Sequence, residues 1–332
     1  MPISNNISTS VNCDPSGSGK PVASYWPGLR YYLLPKVMKL KFEHALVALD
    51  LSDSAEALVR SLSYFRQFDT ERFTLLTSLP VSYAGVFNRK KRQQAQNKLD
   101  HYRDLLKEEG FSANTVLKFA LWKSHAAVIT DTAKERGLRW IVMGNRGQNS
   151  AREYFLGSTA TEVLHLAKIP VMLLNVSPGK SNDTSAALEK GSQRALHHII
   201  HPTDYSEAST HAFNVMKQLI AHKTKSVTLV HVDSNELPAY VDKESVLSSM
   251  QRIKRLKELS NKLTYPEHLK VYIEMPRGAP AKEISRVIKK SNYTLLVMAT
   301  RGKGHLNDLF GHSLSYKIAR LCKLPILFVP GE

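Results

Sequence analysis

The apolar positions of this chain fall into short runs separated by amphipathic stretches. Ala45–Leu49 is a run of five with no polar break. Ser54–Phe68 then places Leu58, Leu62 and Phe65 at helical spacing. The alternation continues with strands expected at Phe73–Leu76, Thr115–Phe119, Trp140–Met143 and Val171–Leu174. Helices are expected between them at Asn88–Glu109, Ala126–Arg136 and Thr159–Lys168. Short apolar strands between amphipathic helices predict a parallel sheet covered on both faces.

The same order then returns. Strands are expected at Leu196–Ile200, Val227–Val232, Leu269–Glu274, Leu295–Met298 and Pro325–Val329. Helices are expected at Glu207–Ala221, Glu244–Leu263 and Lys282–Lys289, and a last one starts at Gly311-His312-Ser313. The offsets between matching residues are nearly constant. Asp50 to Asp204 is 154, Gly147 to Gly302 is 155, Gly157 to Gly311 is 154 and Pro170 to Pro325 is 155. This is the duplication of a whole domain. The expected layout is an extension over residues 1–40, a first domain over 41–176, a linker over 177–193 rich in Ser and Gly, and a second domain over 194–332. Met38, just before the first strand, is where an alternative start would be expected.

Candidate chemistry gathers at the ends of the strands, where ligands of such sheets bind. The run Met143-Gly144-Asn145-Arg146-Gly147, then nine residues, then Gly157-Ser158-Thr159 lies between a strand and a helix start. Glycines allow backbone N–H groups to approach an anion. A helix N-terminus adds free donors and the positive end of its dipole, and the Arg146 guanidinium suits a phosphate. Asp50 closes the first strand and reads either as an acceptor toward a ligand or as a helix cap. The spacing is neither the dinucleotide fingerprint nor a Walker A loop. Gly17-Ser18-Gly19-Lys20 imitates the latter but has Asp14 where its first glycine belongs and Pro21 in place of Ser/Thr.

That Gly-x2-Gly-x9-Gly-Ser pattern, together with Ala45–Asp50 and Lys168–Leu174, resembles the nucleotide-binding branch of the universal stress protein family. The resemblance covers both halves and looks like a tandem-domain member. It implies two doubly wound, five-stranded, Rossmann-like α/β domains packed as a pseudo-dimer, with Val171–Leu174 near Ile326–Val329; a homodimer is a further expectation. It also implies ATP as ligand, with Asp50 toward adenine and ribose, Met143 and Gly144 bordering the nucleotide, and Gly147, Gly157, Ser158 and Thr159 at the phosphates. Mg²⁺ would accompany the phosphates. The first half departs from the pattern at Leu121-Trp122-Lys123, where the second has Gly278-Ala279-Pro280, and this stretch is expected to line or narrow the pocket. The second loop has slipped: Ala299 replaces the first glycine, eight residues separate Gly302 from Gly311, and His312 precedes Ser313. With Asp204 and Arg301 these form a degenerate site, expected to hold no nucleotide or a different anion.

Composition narrows the rest. The net charge is +17, spread as +3, +6 and +8 over residues 1–40, 41–180 and 181–332, which favours anionic partners. The alternative function is therefore a non-nucleotide scaffold whose basic surface binds an acidic protein or nucleic acid. The two cysteines, Cys13 and Cys322, exclude a disulfide framework and fit a reducing, cytoplasmic compartment. No run reaches the length of a membrane span. His197, His198 and His201 alternate between strand faces and lack a third ligand, so no metal site is expected. No general base is recognisable, so any ATP turnover is expected to be slow.

Overall fold

The computed structural model describes residues 42–80, 88–145, 156–176, 194–220, 223–234, 243–263, 266–301 and 313–331. The first half contains β1 (His44–Ala48), α1 (Asp53–Arg60), β2 (Arg72–Pro80), α2 (Arg89–Glu108), β3 (Ser112–Ala120), α3 (His125–Glu135), β4 (Ile141–Gly144), α4 (Ser158–Leu166) and β5 (Val171–Leu174). The second contains β6 (His198–Pro202), α5 (Glu207–Leu219), β7 (Ser226–Val230), α6 (Lys243–Ser260), β8 (Lys270–Glu274), α7 (Pro280–Lys290), β9 (Leu295–Ala299), α8 (Leu314–Leu321) and β10 (Ile326–Val329).

All ten strands form one sheet, in the order β3-β2-β1-β4-β5-β10-β9-β6-β7-β8. Every pairing is parallel except the central one. There β5 meets β10 antiparallel, with Leu173 opposite Ile326, Met172 opposite Leu327 and Val171 opposite Phe328. The expected pairing of the two domains through their last strands is this seam.

Alternation along the strands sends neighbouring side chains to opposite faces. Val47, Leu75, Met172, Leu327 and Val297 join one core with Leu58, Leu99, Phe213 and Leu256, from α1, α2, α5 and α6. Leu46, Leu76, Leu173, Ile326 and Met298 join the other with Ala126, Val163, Ile284 and Ile318, from α3, α4, α7 and α8. Each core crosses the seam, so the two halves share both.

Three expected elements differ. Ser54–Phe68 is not one helix: α1 ends at Arg60 and a 3₁₀ helix covers Ser61–Phe68. The Ser61 hydroxyl donates to the Leu58 carbonyl at 2.7 Å, and the tighter coil turns Tyr64, Phe65 and Phe68 inward around Trp140. Asp69 closes it in a left-handed conformation, φ 56°. Strands β2 and β3 reach nine residues each, well beyond the expected apolar runs. A buried threonine helps extend β2: Thr77 Oγ1 donates to the Leu49 carbonyl at 3.1 Å, while within the expected run Thr74 Oγ1 bonds His44 Nε2 at 2.9 Å.

Candidate functional site: two clefts at the strand ends

A cleft of about 880 Å³ opens where β1, β2 and β4 end. Asp50, Met143, Gly144, Gly157, Ser158 and Thr159 all line it, so the fold gathers six of the eight residues expected at the first site. The other two, Arg146 and Gly147, lie outside the described residues. Asp50 does not cap α1; Ser52 holds that position. The Asp50 Oδ1 instead accepts from the Ser52 N–H at 3.1 Å and the Ser52 hydroxyl at 2.7 Å. The turn between them puts Leu51 at φ 59°, a left-handed strain of the kind that gathers at functional sites.

Asn145 was no candidate from the sequence, yet it organises the floor. Its carbonyl accepts from the Gly157 N–H at 3.1 Å, and its Nδ2 donates to Asn175 Oδ1 at 3.0 Å. Its Oδ1 is buried and has no hydrogen-bond partner among the described residues. Lys91 and Lys98 of α2 also line the cleft, and Lys98 Nζ donates to the Leu51 carbonyl at 3.0 Å. Nothing in the pattern of α2 marked them out from its other cations. Leu121-Trp122-Lys123 does not narrow the cleft; His125 borders it instead, and Trp122 stands 98% exposed outside.

A second cleft, about 780 Å³, lies at the matching place in the second half. Asp204, Ala299, Arg301 and Ser313 line it, while Gly302 and Gly311 lie outside the described residues. The turn is copied closely: Asp204 Oδ1 accepts from the Ser206 N–H at 3.0 Å and its hydroxyl at 2.6 Å, and Tyr205 has φ 60°. The lining differs. The Tyr205 and His231 rings lie 4.4 Å apart, and the buried Asp233 carboxylate pairs with Arg252 at 2.8 Å and Arg277 at 3.6 Å. Burial pushes the Tyr205 phenol up to about 12 and holds the His231 imidazole below its ordinary value, so both are neutral at pH 7. Helix α4 connects the clefts: Ser158 and Thr159 line the first, while Thr161, Leu164 and His165 line the second.

The helix starts differ between the two. In the first cleft neither α1 nor α4 receives a side-chain cap: the hydroxyl of Ser52 is engaged with Asp50 and Ser54, and Gly157 has no side chain. In the second, Ser206 Oγ accepts from the Ser209 N–H at 3.1 Å and Ser313 Oγ from the Tyr316 N–H at 3.3 Å. The first cleft thus presents two helix N-termini without a side-chain cap, whereas in the second Ser206 and Ser313 cap their own helices.

His198 and His201 are each engaged inside the fold. His201 Nδ1 donates to the Val297 carbonyl at 2.9 Å, inside the core, and His198 Nδ1 bonds Ser226 Oγ at 2.7 Å. No cluster of metal-ligating side chains occurs among the described residues.

Fold and clefts together define a duplicated, doubly wound α/β protein with one strand-end cleft per half. The profile of the universal stress protein family matches residues 41–175 and again 195–330, and the chain belongs to that family as a tandem member. It is 28% identical over 144 residues to a universal stress protein of Methanocaldococcus jannaschii, spanning 40% of this chain and 80% of that one. A universal stress protein of Mycolicibacterium smegmatis is 24% identical over 211 residues, 62% of this chain and 66% of the relative. The crystal structure of a universal stress protein from Archaeoglobus fulgidus superposes with a TM-score of 0.62 at 19% identity, covering 88% of this chain and 98% of the other. No helix among the described residues is long and apolar enough to cross a membrane.

Proposed function

We propose that the first domain, residues 41–176, binds ATP and that the chain acts as a cytoplasmic stress-response regulator. The observation that carries this reading is the pair of helix starts, α1 and α4, that reach the first cleft without side-chain caps. Their N–H groups and dipoles favour an anion there. Gly157, Ser158 and Thr159, with Lys91 and Lys98 at the rim, would hold the phosphates. Asp50 would accept from the ribose or the adenine amino group, and the buried Asn145 Oδ1 is a second acceptor on the same wall. Mg²⁺ would enter on the phosphates, where it neutralises their charge. The second domain, residues 194–332 beyond a linker at 177–193, has spent its helix starts on Ser206 and Ser313, and we assign it no nucleotide.

Calorimetry of ATP with Mg²⁺ tests the reading, on the protein and on a Gly157→Leu, Ser158→Ala variant with unchanged unfolding. One site, lost in the variant, is expected. Two sites would overturn the assignment of the second cleft; no binding to either protein would overturn the function.

A further inference from the structure

The Leu121-Trp122-Lys123 stretch, having no place in the cleft, poses its own question. Trp122 is 98% exposed and Leu121 is 51% exposed. Tryptophan is on average a well-buried residue, so an indole standing in water beside an exposed leucine calls for an explanation.

The neighbouring helix has a matching anomaly. Helix α2 opens with Arg89-Lys90-Lys91-Arg92, all four exposed, and no acid occurs in it before Asp100. The N-terminal end of a helix carries the positive pole of its dipole, so cations there are destabilising, and four in succession also repel one another. Arg92 lies over the ring of Phe119 at 5.6 Å, which brings this cluster to the end of β3, three residues from Trp122. Two acids nearby are engaged with other cations: Glu135 pairs with Lys118 and Asp131 with Lys123, each at 2.5 Å. An exposed apolar pair and a cationic cluster thus share the outer edge of the sheet.

We propose that this edge docks on an anionic membrane surface, Trp122 and Leu121 entering the headgroup boundary while Arg89, Lys90 and Arg92 meet the lipid charge. Indole rings are favoured at that depth, and polybasic clusters gain attraction to acidic headgroups. A single-stranded nucleic acid would match the charge. It would, however, need successive stacking platforms along its path, and here one ring is paired with an aliphatic side chain on which bases do not stack. The attachment is peripheral and reversible, and it leaves the clefts unaltered.

The test is flotation of the full chain with vesicles of phosphatidylcholine alone and of phosphatidylcholine mixed with phosphatidylglycerol. Retention on the mixed vesicles only is expected, with loss as salt rises. Trp122→Ser should abolish the part of the emission blue shift that accompanies retention. Arg89→Ser with Arg92→Ser should weaken retention about twenty-five-fold, from roughly fivefold per cation. All these side chains are exposed, so both variants should keep the parent unfolding midpoint. Lys254→Ser with Lys257→Ser, on the exposed face of α6, should leave retention unchanged. The proposal is overturned by no retention at low salt, by equal retention of the Trp122 variant, or by an equal loss in the α6 variant. Trp122-dependent binding of a single-stranded oligonucleotide without vesicle retention would overturn it in favour of nucleic acid.

Discussion

Met172 and Leu327 face each other across the only antiparallel pairing of the described sheet, and both are fully buried in one core. That core includes side chains from helices of both halves, so the seam belongs to the folding unit and is not a contact between finished domains. Leu327→Ala should destabilise the chain by about 2–5 kcal/mol, the range for deleting a buried leucine side chain. Urea unfolding of the parent should be one transition. Leu327→Asp, which buries a carboxylate in the shared core, should lower the midpoint of that one transition further than Leu327→Ala does; an unshifted midpoint would mean the halves are held elsewhere.

The position of Gly157 gives stability and binding opposite signs. Serine there would supply the cap that α4 lacks and should stabilise the fold by a few tenths of a kcal/mol, roughly the serine-over-glycine difference at a cap. The same hydroxyl would occupy N–H groups assigned above to phosphate. ATP affinity should fall about tenfold, as for loss of one hydrogen bond to a charged group. Parallel melting and calorimetry of Gly157→Ser decide it. Unchanged affinity would remove α4 from the proposed site.

Much of this was legible because it depends on spacing. The apolar runs and the repeated offset were enough to expect two α/β halves, while the β5–β10 seam was expected from the resemblance to the universal stress protein family. The contrast between the helix starts was not, because Asp50-Leu51-Ser52 and Asp204-Tyr205-Ser206 read alike. Their difference comes from one position further on. Ser54 draws the Ser52 hydroxyl to itself at 2.6 Å, whereas Ala208, at the matching position, has no hydroxyl, and Ser206 caps α5. Asn145 was hidden for a related reason: its role rests on a backbone carbonyl meeting Gly157 and an amide meeting Asn175, partners that only the folded chain brings together. The 3₁₀ segment escaped because its apolar spacing also fits an α-helix.

Trp140 should show the difference between volume and polarity in a core. Its ring packs edge-on to Phe42 at 4.9 Å and Phe65 at 5.0 Å, while its Nε1 is buried without a hydrogen-bond partner among the described residues. Trp140→Phe removes an unsatisfied donor whose burial costs about 1–3 kcal/mol, and this offsets much of the lost packing. The expected net change is under about 1 kcal/mol, against about 3–5 kcal/mol for Trp140→Ala. Urea midpoints of the two variants test it, and a loss for phenylalanine close to that for alanine would contradict the account.

His201 should make the protein acid-labile. The imidazole is fully buried and packs beside Phe213, its Nδ1–H donates to the Val297 carbonyl, and its Nε2 has no hydrogen-bond partner among the described residues. Burial lowers its pKa from 6.5 to about 4, outweighing the opposing pull of the Val297 carbonyl and Asp204. Between those values the unfolded chain binds a proton that the folded chain does not. Stability is therefore fully present above pH 6.5 and falls as pH drops toward 4, by up to ~3 kcal/mol. Burial also lowers the pKa of His44, His197, His198 and His231, so they add to the slope in the same direction. His201→Asn isolates the one group, since an amide can still donate to Val297 but does not titrate. Urea midpoints of parent and variant across pH 4–7 should diverge, with the variant's slope the shallower. Parallel slopes would mean that His201 carries no part of the acid response.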